Sequence, residues 1–149
     1  DISRLILGEF KSSKGFVNTY FWDMEVDDNA FMILKTYDQK CAFLHVSCTE
    51  WKNMFSLEIY GKIGKIDIKG LGGSYGTEEL THYAMQPEMG PPPSEKWKFD
   101  KEDDSWKREM EHVIHNIAND KIESSNLKDA LAVHEVIENL KINTNNDNN

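Results

Sequence analysis

The spacing of apolar residues changes period along this chain, and each period predicts a different kind of element. Residues 1–7 place Ile2, Leu5 and Ile6 on one helical face, and Gly8 stands where a helix would stop. Residues 15–22 and 29–37 are dense in aromatic and aliphatic side chains and read as strands. A third strand, 40–49, follows a turn at Tyr37, Asp38 and Gln39. Residues 54–60 alternate cleanly, with Phe55, Leu57 and Ile59 on one face and Ser56, Glu58 and Tyr60 on the other. Residues 65–69 repeat the pattern with Ile66 and Ile68 inward, and 61–64 supplies a glycine-bounded hairpin turn. Strands joined by short turns predict an antiparallel meander with one face buried.

From 70 to 104 the periodicity dissolves into a glycine cluster (70–76) and a proline cluster (91–93), which predicts a long loop, either lining a site or lying on the surface without a role. Helical spacing then returns. Asp104 or Ser105 caps a helix whose stripe is Trp106, Met110, Val113, Ile114 and Ile117. Ser124 to Asn126 offer the next cap, and Asn126 with Asp129 resembles a capping box. The following helix is expected to present Leu127, Ala130, Leu131, His134, Ile137 and Leu140 or Lys141. The polar segment 143–149 reads as a disordered tail, leaving 1–142 as one domain. The order predicts an α+β fold, an open antiparallel sheet with helices packed on one face.

Composition narrows the function. The chain has 149 residues and a formal net charge of -9, which disfavours a nucleic-acid partner or an anionic membrane surface. No apolar run approaches the ~20 residues that span a bilayer. Cys41 and Cys48 fall on opposite faces of one expected strand and lack redox or zinc spacing, as in a reduced cytoplasmic protein. The first residue is Asp, and seven residues make a poor isolated helix. The chain is therefore expected to begin inside a longer helix, as part of a larger enzyme without a complete active site of its own.

Several groups could carry chemistry. The glycine cluster has Tyr75 where a dinucleotide fingerprint needs its third glycine, and no strand–helix–strand unit surrounds it. Glu109 and His112 form one ExxH step, where a di-metal carboxylate site needs two, so a solvated helix face is expected there. His134 is expected at the core edge, hydrogen bonded. Trp51, Lys52 and Asn53 sit between two strands at a sheet end. A flat aromatic beside a cation and an amide suits stacking on, and hydrogen bonding to, a polar ring such as a sugar; covering a sheet edge is the competing use.

Four stretches together resemble the C-terminal domain of the Gfo/Idh/MocA oxidoreductases, the glucose–fructose oxidoreductase and inositol dehydrogenase family. Residues 1–9 resemble its helix with Asp, Arg and Gly at the positions of Asp1, Arg4 and Gly8. Residues 57–66 resemble its glycine hairpin, with Ile59, Gly61 and Gly64. Residues 106–117 look like the helix before the closing segment, and 129–138 like the terminal helix beginning Asp129-Ala130 and carrying Val136-Ile137. His134 departs from the family's usual aliphatic residue. Residues 70–76 with Tyr83, Met85 and 87–92 resemble a subgroup acting on sugars or nucleotide sugars.

The resemblance implies an NAD- or NADP-dependent enzyme whose own N-terminal Rossmann domain holds the cofactor and a catalytic lysine. The family's catalytic histidine would lie just before Asp1. No cofactor site, catalytic residue or metal site is then expected here. The chain would bind a sugar-like substrate through Trp51, Lys52, Asn53 and Tyr75, and would form a homo-oligomer through its open sheet face. A non-catalytic carbohydrate-binding module and a purely structural oligomerisation module are the alternatives.

Overall fold

The computed structural model describes residues 1–121 and 126–147, the side chains of 143–147 excepted. Along the chain run α1 (Ile2–Leu7), β1 (Phe10–Asn18), β2 (Asn29–Thr36), β3 (Cys41–Ser47), β4 (Ser56–Tyr60), β5 (Gly64–Lys69), β6 (Glu78–Ala84), β7 (Ser94–Phe99), α2 (Ser105–Ala118) and α3 (Leu127–Asp147). The expected α+β class and antiparallel pairing are present. The chain forms two compact units, one of residues 1–49 and 118–149, the other of 50–117.

The first unit is built on the antiparallel sheet β1-β2-β3. Alternation sorts its two faces. Leu34 and Thr36 on β2 are buried, and Met32, Val17 and Leu44 on the same face are half-buried. Helix α3 lies against β1. Leu140 is its one fully buried described residue, 1% exposed, and Ala132, Val133 and Val136 are half-buried. This differs from the expected helical face: of that stripe only Leu140 is buried, while Leu127, Leu131 and His134 are exposed. The helix carries apolar residues on adjacent rows, and packing selects the row 129, 133, 136, 140. Leu131 and His134 line a shallow surface depression with Glu138.

Local polar contacts set the helix ends. Gly8 ends α1 at φ 95°, and Lys40 Nζ reaches the Leu7 carbonyl at 3.3 Å. The capping box at α3 is formed: the Asn126 amide donates to Asp129 Oδ2 at 3.0 Å, and the Lys128 amide donates to Asn126 Oδ1 at 2.8 Å. Ser124 lies outside the described residues. Arg4 joins α1 to α3 through ion pairs with Glu9 and Asp129. Those contacts raise its pKa and hold both carboxyls below their usual values.

Expected strand 15–22 is corrected: β1 starts at Phe10 and ends at Asn18. Residues 19–27 instead form a loop around Asp28, which is 2% exposed. Its carboxylate accepts the amides of Tyr20, Phe21 and Trp22 at 2.8, 2.8 and 2.9 Å, and the Asn29 side chain at 2.9 Å. The backbone turns here because a buried carboxylate gathers three donors that a strand would have spent on its neighbour. Cys48 likewise lies just beyond β3; both cysteines are exposed thiols.

The second unit is built on the sheet β4-β5-β6-β7. The hairpin at 61–64 forms as the glycines predict, the Gly61 amide donating to the Gly64 carbonyl at 2.9 Å. The long loop expected over 70–104 is corrected: β6 and β7 occupy much of it. β6 carries Glu78, Glu79 and Thr81 and β7 carries Glu95, Lys96 and Lys98, so their alternation (Leu80, His82; Trp97, Phe99) was masked by polar content. Edge strand β7 carries Lys96 and Lys98, which ion-pair with Glu79 at 2.5 and 3.1 Å. The stripe of α2 has the predicted spacing but is exposed, Trp106 at 81%, so the expectation of helices packed on the sheet holds for α3 and is not met by α2. No helix among the described residues is long and apolar enough to cross a membrane.

Candidate functional site

Strand register brings two of the candidate segments to one end of the four-stranded sheet. Ser56, opening β4, faces Lys69, closing β5; Lys69 faces Glu79 on β6; Glu78 faces Phe99, closing β7. The connection carrying Trp51, Lys52 and Asn53 therefore enters the sheet where the glycine loop leaves β5 and returns in β6. The Gly70 amide donates to the Phe55 carbonyl at 3.1 Å, which ties the two segments together.

Trp51 has φ 58° and is 83% exposed. The left-handed region disfavours a bulky side chain by about 1–2 kcal/mol, and such strain concentrates at sites where a side chain must be presented. Lys52 and Asn53 follow it, both exposed. Tyr75 is partly exposed in the glycine loop, its amide donating to the Leu71 carbonyl at 3.3 Å.

The loop is internally closed. The Ser74 and Gly76 amides donate to the Gly72 and Gly73 carbonyls at 2.7 and 3.2 Å, and the Gly72 amide donates to Glu78 Oε1 at 2.9 Å. A phosphate cradle needs convergent amides without an anion already on them. In this loop the Glu78 carboxylate already occupies the Gly72 amide. Gly72 also lies against the start of α2: a Cβ there would stand 3.3 Å from Asp103 Oδ2. The Asp103 carboxyl accepts the Ser105 amide at 3.0 Å, and this bond, with one from the Ser105 side chain, holds it below the usual carboxylate range.

Gly70 is the hinge of this arrangement. It has φ 79°, and a Cβ on it would fall 2.3 Å from the Thr77 carbonyl oxygen. Gly70→Ala is expected to destabilise the protein by about 1–3 kcal/mol through strain and loop displacement. Urea unfolding measures that cost; an unchanged midpoint would show that the loop repacks freely.

The arrangement is suited to recognition: an indole and a phenol for stacking, one ammonium and one amide for hydrogen bonding. No group of His, Cys, Asp and Glu that could hold a metal is present among the described residues. Glu109 and His112 are exposed on α2, on the solvated face expected for them. Sequence reasoning missed a second polar cluster, on one face of the same sheet. Lys65 Nζ pairs with Glu58 at 2.6 Å and stands 5.0 and 5.7 Å from the Tyr60 and Tyr83 ring centres. Lys65, then Tyr60, hold the Glu58 carboxyl below its usual range, while Glu58 raises both Lys65 and Tyr60. The signal available was the alternation of Glu58, Tyr60, Lys65 and Tyr83 on the non-aliphatic face.

No protein-family model and no curated protein matches the chain. Solved structures do. One, from Desulfitobacterium hafniense and named as a provisional NADPH-dependent oxidoreductase, superposes with TM-score 0.75 at 16% identity over 97% of this chain and 42% of its own. Another, the UDP-N-acetylglucosamine 3-dehydrogenase GnnA from Acidithiobacillus ferrooxidans, superposes with TM-score 0.69 at 14% identity over 96% of this chain and 46% of its own. The chain thus spans less than half the length of the oxidoreductases it matches, and it has the fold that the Gfo/Idh/MocA resemblance implies, that of the family's C-terminal domain.

Proposed function

We propose that this chain is the substrate-side and oligomerisation domain of an NAD- or NADP-dependent oxidoreductase acting on a sugar, a sugar nucleotide or a related polyol. The observation that carries the reading is the superposition of nearly the whole chain on under half of each of two proteins named as oxidoreductases, one for a nucleotide sugar. On this reading a Rossmann domain with the catalytic lysine and histidine, as the resemblance implies, belongs to the rest of the parent protein, since the chain covers under half of each matched structure. The nicotinamide held there supplies hydride acceptance. The part of this chain is orientation: the Trp51 indole and the Tyr75 ring stack on the substrate, and Lys52 and Asn53 hydrogen bond its hydroxyl or phosphate oxygens. The two exposed thiols suit the reducing cytoplasm.

Lys52→Ala in the parent enzyme is expected to lower kcat/KM for the sugar-type substrate by about ten- to a hundredfold. Steady-state kinetics with the purified variant checks it; an unchanged kcat/KM would remove Lys52 from the site.

The partner in assembly is a second copy of the chain, met through the outer face of the β1-β2-β3 sheet. Register aligns Phe16 with Phe31, Lys14 with Ile33, and Ile33 with Phe43, so these side chains share one face, opposite the buried one. Phe16, Phe31, Ile33 and Phe43 are all exposed, Phe43 at 73%. A contiguous apolar patch of this kind is a contact surface.

A further inference from the structure

We infer that the loop 19–27 is a preformed arm that docks over Lys14 and Lys35 on a second copy's sheet face, fixing an antiparallel two-fold dimer. The inference rests on the sheet-face reading above and deepens it. The loop projects Tyr20, Phe21, Trp22, Met24 and Val26, all exposed, with Asp23 and Glu25 interleaved. It holds one shape without a partner: Asp28 gathers three of its amides, Thr19 Oγ1 donates to the Val26 carbonyl at 2.9 Å, and Trp22 Nε1 donates to the Cys48 carbonyl at 3.2 Å. Asp27 is already engaged, 3.6 Å from Lys141. A preformed aromatic segment loses little entropy on docking.

The loop continues the apolar face. The Tyr20 ring meets Phe31 edge-on at 6.4 Å, and Phe31 stacks on His45 at 4.4 Å. The same face carries Lys14 midway along β1 and Lys35 near the far end of β2. At about 3.3 Å per residue, Lys14 stands roughly 13 Å from the loop end of its strand. Neither lysine has an ion pair among the described residues.

Two sheets can meet face to face about a two-fold axis in the interface plane. An axis along the strands sets loop on loop, with Asp23 and Glu25 against their own copies. An axis across the strands, crossing between the loop and Lys14, sets each loop over the other copy's Lys14 and Lys35. Like charges brought together are repelled and opposite charges attract, so the charge pattern selects the second arrangement. An anionic membrane surface is disfavoured by the same acidic residues.

The test is a charge exchange read by sedimentation. The protein is expected to dimerise reversibly. Asp23→Lys with Glu25→Lys, and separately Lys14→Glu with Lys35→Glu, are each expected to weaken the dimer about tenfold or more. Equimolar mixing of the two double variants is expected to restore a heterodimer near the original affinity, which also shows that both are folded. A dimer indifferent to both exchanges but lost in Phe43→Glu overturns the arm and leaves the sheet face standing. A protein that stays monomeric, or a dimer indifferent to all three variants, overturns both.

Discussion

Leu140→Ala is expected to destabilise the protein by about 2–5 kcal/mol, the largest loss from any single truncation proposed for it. Only Leu34 and Leu140 are buried apolar residues among those described, so the first unit concentrates its core in few side chains. Leu140 lies in α3, the helix that packs on β1. Removing its isobutyl group loses the transfer free energy and leaves a cavity where α3 is seated. A core this small has few neighbours to collapse into the gap. Leu131→Ala is the internal control. That residue is exposed on the same helix, and its truncation is expected to stay within about 0.5 kcal/mol of the parent. Urea denaturation of the pair separates the two rows of α3. Equal shifts in midpoint would mean that the helix is seated differently.

Asp28→Asn is the second large effect. Burial alone would push this carboxyl up. The hydrogen bonds from the Trp22 and Tyr20 amides, the Asn29 side chain and the Phe21 amide outweigh burial and hold it far below the ordinary aspartate range. A carboxamide cannot accept the same four donors, because its nitrogen is itself a donor. The loop amides lose their acceptor, and Tm is expected to fall by roughly 5–10 °C. The sign with pH follows from linkage. The folded pKa lies below the unfolded one, so the carboxylate's contribution is fully present above the unfolded value, about 3.9. It is lost as the pH drops through the lowered folded value. The gap in Tm between parent and variant is therefore expected to be constant near neutrality and to close below about pH 4. A gap that stays constant into strong acid would show that the charge is not what holds the loop. The same variant bears on assembly, since a slack 19–27 loop no longer presents its aromatic residues in one arrangement.

The sequence by itself determined whatever depends on neighbours a few residues apart. Alternation at 54–60 and 65–69, with glycines at 61 and 64, specified the β4-β5 hairpin, because side-chain period and turn chemistry are local. The stop at Gly8 and the Asn126–Asp129 capping box were legible for the same reason. The antiparallel α+β class followed from the order of those elements. So did the candidacy of Trp51, Lys52 and Asn53, an aromatic, a cation and an amide on a connection between strands.

Only the tertiary structure decided what depends on partners distant in sequence. Strands β6 and β7 are polar enough to read as loop, and cross-strand pairs such as Leu80 with Trp97 and Glu79 with Lys98 make them strands. The row of α3 that is buried depends on where β1 lies, since apolar residues occupy two rows of the helix. The role of Asp28 could not be read from its type: a carboxylate among acidic and aromatic residues becomes a buried acceptor only once the chain brings three amides around it. Register alone sets Trp51, Lys52, Asn53 and the loop of Tyr75 at one sheet end. Several amides of the glycine cluster, those of Gly72, Ser74, Tyr75 and Gly76, are engaged by Glu78 and by the loop's own carbonyls, which the string of residues does not reveal. Residue types set what each group can do; the convergence of segments far apart in the chain sets which groups can act together.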